Sequence, residues 1–331
     1  MRGRDAALKY SVLLPFTTTR PEQLIPYASL VEWAPSSRLW TGQSICIEPH
    51  QSFAHLAGTG LRVPVGIGVT LMPLRHPFEA AVQAMSLART TGQPVTVGYG
   101  PGAASFQAML RGEPYASQLD AVRDYLTIVR ALVRGQQSDH DGEYFSFHGR
   151  LDSGPGPRVE VGAGVLRPRM ARLVGEVADA AITWLAPASY IHTTLRPALE
   201  EGARAAGQPA PRIVSMVPLA LHKQGRVPAE TALASNAAHL RLPHYVEMLA
   251  RAGIKVRGER PLEDAEALVE GRAFLSGDID ELTSQLREYE VAGVDEVVLN
   301  LTGVHHKSGP QKAMAELRTI LRAVGAIDQH S

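Results

Sequence analysis

The stretch PRVEVGAGVLRPRMARLVGEVADAAITWLAP, residues 157–187, reads as strand, glycine turn, helix and strand. Residues 159–161 form a short β-branched run that Gly162-Ala163-Gly164 interrupts. Pro168 then falls where the first helical turn should be, a position that tolerates a missing N–H. Met170, Leu173, Val174, Val177 and Ala178 recur at helical spacing, and residues 180–184 make the next strand. A glycine turn that opens a helix leaves unpaired N–H groups at the positive end of the helix dipole, which suits a phosphate. Arg167, Arg169 and Arg172 crowd that end, where arginine opposes the dipole and an anion would offset it. The alternative is that Arg172 pairs with Glu176 at i,i+4 spacing and the other two are solvated.

Outward from this unit the alternation continues. Strands are expected at 8–14, 38–40, 63–69, 95–97, 159–161, 180–184, 213–221 and 294–299. Between them lie helical patterns: after Thr19 (a candidate N-cap) and Pro21 to about 34, at 50–57, from Pro77 to about 92, and on to about 133. Others follow at 189–206, after an Asp278-x-x-Glu281 capping box, and at 310–323. Eight strands in strict alternation with helices imply a parallel sheet closed into a (β/α)8 barrel, an α/β TIM fold, as one domain over residues 1–331. An open doubly wound sheet would want a GxGxxG fingerprint near the first strand, and none is there. Two insertions are expected. Residues 135–156, after strand four, resemble a hairpin, with Tyr144, Phe145 and Phe147 near Asp141-Gly142. Residues 222–275, after strand seven, are mostly helical and form a candidate lid.

Composition narrows the function. The 331 residues are 45% hydrophobic and 20% charged, with 33 basic and 33 acidic side chains. With zero net charge, nothing suggests a surface for nucleic acid or an anionic membrane. The lone Cys46 excludes an intramolecular disulfide and a cysteine-built metal site. Arg2, Arg4 and Lys9 precede an apolar run that is short and ends at Pro15-Phe16, so it reads as a first strand. The expectation is a cytoplasmic protein.

In a barrel the chemistry sits just after the strands. Those positions hold Thr41-Gly42-Gln43-Ser44, Thr70, Gly98-Tyr99-Gly100, Gly162-Ala163-Gly164, Trp184 and Asn300-Leu301-Thr302. Glycines let a flat ring approach the backbone, and amides and hydroxyls fix its heteroatom edges. Paired carboxylates or an activated nucleophile, which a hydrolase would need, are missing from the set. Gly98-x-Gly100-x-Gly102 is too short for a dinucleotide fingerprint. His50 with His55, His239 with His244, and His305-His306 lack the spacing or the carboxylates of a metal site, so none is expected. Arg75-His76 reads as a strand-to-helix junction. On the substrate side the candidates are Trp40, His50, Tyr99 and Asn300.

The segment GAGVLRPRMARLVGEVADA resembles one shared by the deazaflavin-dependent branch of the luciferase-like monooxygenase superfamily. Arg167 stands where glycine is common, and Ala180 replaces a glycine. VPVGIGVTLMPLRHPFEAAxQAxSLA (63–88), TGQPVTVGYGPG (91–102), DAVRDYLTIVRAL (120–132) with DGEYF (141–145), HLRLPHYVEMLARAG (239–253) and AGVDEVVL (292–299) extend the likeness in order and spacing. The resemblance implies a barrel that binds coenzyme F420, or FMN as the alternative, with a non-prolyl cis peptide near Gly68-Val69-Thr70. It would place Gln43, Ser44, Val69, Thr70, Gly98, Tyr99 and Gly100 at the ring. Gly162, Ala163, Gly164, Arg167, Pro168, Arg169, Met170 and Trp184 would line the ribityl and phosphate portion. The implied activity is hydride transfer from reduced F420 to a C=C or C=N bond of a biosynthetic small-molecule or peptide substrate, dehydroamino-acid peptides included. A reduced-FMN monooxygenase and a barrel that binds ligand without turnover are the other readings. A homodimer is the usual assembly in the superfamily.

Overall fold

The computed structural model describes residues 8–34, 37–152 and 154–328. Arg2, Arg4 and Ser153 lie outside them. Eleven strands are numbered here in chain order: β1 Lys9–Leu13, β2 Leu39–Thr41, β3 Val65–Leu71, β4 Val95–Gly100, β5 Ser138–Asp141, β6 Ser146–Gly149, β7 Val159–Gly164, β8 Ala180–Trp184, β9 Arg212–Leu221, β10 Leu275–Gly277 and β11 Glu296–Asn300. Eight of them pair in parallel in the order β1-β2-β3-β4-β7-β8-β9-β11, and β11 pairs with β1, so the sheet closes into a TIM barrel. β5 and β6 form a separate antiparallel hairpin inside the first insertion.

Both faces of the strands are covered, which is why they read as nearly continuous apolar runs. Leu13, Trp40, Ile182, Val214, Met216 and Val298 form an inner cluster, while the much larger second cluster lies between barrel and helices. Trp40, expected on the substrate side, belongs to the inner cluster and is wholly buried. Gly66 leaves the space its ring occupies, since a Cβ there would collide with the indole. Below it the barrel holds charge. Glu296 accepts from Ser11 Oγ (2.6 Å), Trp40 Nε1 (2.7 Å), and Arg38 and Arg212 (3.1 Å each). Glu160 accepts from Arg212 (2.7 Å) and Thr96 Oγ1 (2.9 Å). Burial alone would raise both carboxyls; the two guanidiniums hold them below the ordinary range.

Some boundaries differ from the sequence expectation. Gly162-Ala163-Gly164 is strand, not turn, because β7 has neighbours on both sides: Gly98 pairs with Gly162 and Ala163 with Ala181. The turn is the next three residues, 165–167. Thr19 is not an N-cap; its N–H and that of Arg20 donate to Gln23 Oε1 at 3.0 and 3.1 Å. The second insertion does contain helices, Pro228–Asn236, Pro243–Arg251 and Pro261–Glu270. Its end, however, is a strand: β10 pairs with the tip of β9, Leu275 opposite Leu219. Thr302–Ser308 forms a further helix that apolar periodicity did not signal.

Candidate active site

The C-terminal mouth of the barrel has a different character on each side. On the β3, β4 and β7 side, the Gly68–Val69 peptide is cis, where the resemblance puts it, and the β3–β4 register shifts between Ile67 and Thr70. There the Val69 side chain lies across three glycines. A Cβ at Gly98 would come within 2.9 Å of Val69 Cγ1, one at Gly100 within 3.0 Å of Cγ2, and one at Gly164 within 3.6 Å. These glycines therefore seat Val69 first, and a ring above would meet the valine rather than bare backbone. Tyr99 contributes only backbone to the mouth. Its side chain points into the helix layer, 1% exposed and 5.3 Å from the Tyr125 ring, with its hydroxyl donating to Ala80 O at 3.4 Å.

A polar chain runs outward from β3. Thr70 Oγ1 donates to Gln43 Oε1 (2.6 Å) and accepts from Arg75 (3.2 Å). Arg75 lies 3.5 Å from Glu48, and Glu48 holds His50 Nδ1 at 2.7 Å. Burial pushes the Glu48 carboxyl up, but the His50 hydrogen bond and charge, Gln51 N–H and Arg75 bring it below the ordinary value. His50 is 7% exposed, and its Nε2 has no partner. His76, by contrast, is an N-cap: its Nδ1 accepts from Phe78 N–H at 3.2 Å. Ser44 serves its own loop, its Oγ accepting from the N–H of Cys46 and Ile47 at 3.0 and 3.3 Å.

Across the mouth, Trp184 ends β8 and stacks on His239 of the second insertion, with ring centroids 5.0 Å apart. His239 in turn meets Tyr245 edge-on at 4.9 Å. Burial, and then His244, lower His239 to about 4, so its imidazole is neutral at pH 7. Trp184 Nε1, His239 Nδ1 and Asn300 Nδ2 are all buried without partners; Asn300 Oδ1 accepts from Thr302 N–H at 3.0 Å.

The helix Pro168–Val177 has Arg167 as N-cap with no side-chain capping bond. Of the three arginines there, Arg167 pairs with Glu247 of the insertion (2.6 Å), and Arg172 with Glu201 (3.1 Å) and Glu176 (3.7 Å). The i,i+4 alternative for Arg172 is thus present. Arg169 is exposed and has no carboxylate partner among the described residues. Gly162 and Ala163 are buried in β7, and Met170 packs partly buried on the core beside the turn.

Sequence reading missed Glu48, Arg75 as part of the chain to His50, and His239 over Trp184. Glu48-Pro49-His50 carried a signal as the start of a helix, with Glu48 accepting from Gln51 N–H. The His239 contact joins residues 55 apart by number and had none.

Residues 8–296 match the family described as luciferase-like monooxygenase. The chain belongs to this family. It is therefore an oxidoreductase of the luciferase-like kind, whose enzymes use flavin or F420 cofactors. Solved structures with the same fold include the coenzyme F420 dependent tetrahydromethanopterin reductase of Methanopyrus kandleri. It is 18% identical, with a TM-score of 0.71 over 94% of this chain and 97% of that one. An F420-dependent secondary alcohol dehydrogenase, in complex with an F420-acetone adduct, is 15% identical with a TM-score of 0.73 over 96% and 99%. The oxygenating constituent of 3,6-diketocamphane monooxygenase from Pseudomonas putida, in complex with FMN, is 16% identical with a TM-score of 0.68 over 96% and 98%. Luciferase-like barrels of both cofactor types thus share this architecture.

Proposed function

We propose that this luciferase-like protein is an F420H2-dependent reductase that delivers hydride to a C=C or C=N bond of a biosynthetic small-molecule or peptide substrate. The observation that carries a flat heteroaromatic cofactor is the set of buried, partnerless polar atoms around one glycine-lined mouth: His50 Nε2, Trp184 Nε1, His239 Nδ1 and Asn300 Nδ2. Each such group costs about 1–3 kcal/mol if nothing meets it, so a ligand rich in ring nitrogens and oxygens fits the set. The deazaflavin, when bound, supplies the hydride chemistry. Val69 would back its ring, and the uncapped N-terminus of the 168–177 helix with Arg169 would take its phosphate.

The other roles belong to the chain's own side chains. His239 and Tyr245 over Trp184 exclude water from the β8 side. His50, tied to Glu48 through Nδ1 and partnerless at Nε2, is the group that gives a proton to the reduced substrate. Arg167 and Arg172 sit in exposed ion pairs worth less than about 1 kcal/mol, so a ligand with several carboxylates can compete for them. A specific observation favours the FMN reading as well. With those two arginines paired, Arg169 alone matches one phosphate.

Titration of the purified protein with F420 and with FMN, followed by absorbance and fluorescence, tests the choice. Saturable F420 binding at least tenfold tighter than FMN is expected; the reverse order would make this an FMN enzyme. Arg169→Glu should weaken the preferred cofactor about tenfold by setting an anion beside the phosphate. Unchanged affinity would retire the phosphate assignment.

A further inference from the structure

A cavity opens outside the mouth, between the ends of β11 and β1. In the strand order β1-β2-β3-β4-β7-β8-β9-β11 this is the side opposite the β4–β7 glycines. Its volume is about 630 Å³, and its walls include Phe16, Pro26, Tyr27, His305 and Met314, with Arg318 exposed at its edge. The space is within the range of small-molecule pockets, about 300–1,000 Å³.

Two polar atoms in these walls have no partner in the protein, Tyr27 Oη and His305 Nδ1. Tyr27 is 4% exposed. Phe16 stands between the two residues, its ring 5.7 Å from Tyr27 and 5.2 Å from His305. Both polar groups are uncharged at neutral pH: burial pushes the Tyr27 hydroxyl up to about 12, and burial followed by His306 lowers His305. A buried Tyr hydroxyl usually finds a hydrogen-bond partner, and a core that needed none would carry phenylalanine. Mostly apolar walls with a neutral donor suit an uncharged ligand: Arg318, the cation of the lining, is exposed at the edge, where solvent screens it, and the buried part offers an ion no counter-charge.

We propose that this cavity binds an uncharged organic group, a ring or acyl chain bearing one carbonyl or hydroxyl oxygen that accepts from the Tyr27 hydroxyl. Its walls come from the segments that follow β1 and β11, at the same end of the barrel as the proposed cofactor site, and this makes it the seat for the apolar part of the substrate. That role rests on the reductase reading above; the binding itself does not.

The probes are 2-naphthol and its oxygen-free counterpart naphthalene, titrated into the full chain without any redox cofactor and read by fluorescence. Wild-type protein should bind 2-naphthol saturably. Ala315→Trp, at an exposed position on the cavity wall, should weaken both probes at least tenfold without changing the melting temperature. Tyr27→Phe should weaken 2-naphthol between about two- and tenfold and leave naphthalene unchanged, the loss of one net hydrogen bond. No saturable binding to wild type, or equal 2-naphthol affinity in wild type and both variants, overturns the proposal. Because no cofactor is present, a failed F420 titration would leave this result standing. With turnover established, Ala315→Trp should raise KM for the substrate while cofactor affinity stays within twofold; an unchanged KM would separate the cavity from the reaction.

Discussion

The two ends of the barrel treat buried polar groups in opposite ways. At the N-terminal end, Glu160 and Glu296 accept from Ser11, Trp40, Thr96, Arg38 and Arg212, and of these side chains only Arg38 Nε is left over. At the C-terminal end, His50, Trp184, His239 and Asn300 each keep a buried atom without a partner. One end is a finished polar core. The other leaves its hydrogen-bonding capacity open, and an unmet buried donor costs free energy that folding alone does not recover. The difference separates the polar groups that the fold itself satisfies from those that the proposed cofactor would meet.

Breaking the finished end should have the largest effect. Glu296→Leu leaves Arg38, Arg212 and Trp40 Nε1 with too few acceptors and should cost about 3–5 kcal/mol of stability, read from urea unfolding by circular dichroism. A loss below about 1 kcal/mol would mean that the lower network is not what holds the barrel.

The open end should show itself in pH dependence. His239 is lowered to about 4 in the folded protein against an ordinary 6.5, so the unfolded chain takes up the proton first. The stability that follows from keeping it neutral is complete above about pH 6.5 and is lost as the pH falls toward 4. Between pH 7 and 4.5 wild type should lose on the order of 2–3 kcal/mol more than His239→Phe. Parallel profiles for the two proteins would show that His239 is not held neutral over Trp184.

The smallest stability effect sharpens the contrast most. Trp184→Phe keeps an aromatic ring beneath His239 and removes the partnerless N–H. Stability should stay within about 0.5 kcal/mol of wild type. Cofactor affinity, measured by fluorescence titration, should fall two- to tenfold. A large stability loss with unchanged cofactor binding would put Trp184 with the finished end.

Much of the fold was legible because it rests on local rules. β8 and the helix Pro310–Ala323 fall where apolar periodicity puts them, and all eight barrel strands are present in order. The glycines at 162 and 164 misled because a turn and a crowded strand call for the same residue: at Gly162 a Cβ would lie 3.0 Å from Ala180 O. The site was legible as positions but less so as side chains. Trp40 and Tyr99 stand at strand ends in the sequence, yet the alternation of faces sends one into the barrel and the other into the helix layer. Glu48 and His239 gave no functional signal, since each matters only through a neighbour supplied by another element.

By itself the sequence determined the alternation of strand and helix, and with it the closed parallel barrel, because each strand's two apolar faces can be covered in few other ways. Tertiary structure alone decided which polar groups are satisfied. Hydrogen bonds such as Trp40 to Glu296 join residues 256 apart, and the stacking of His239 on Trp184 depends on how a whole insertion folds back. Periodicity reports which face of an element is buried, but not what it is buried against.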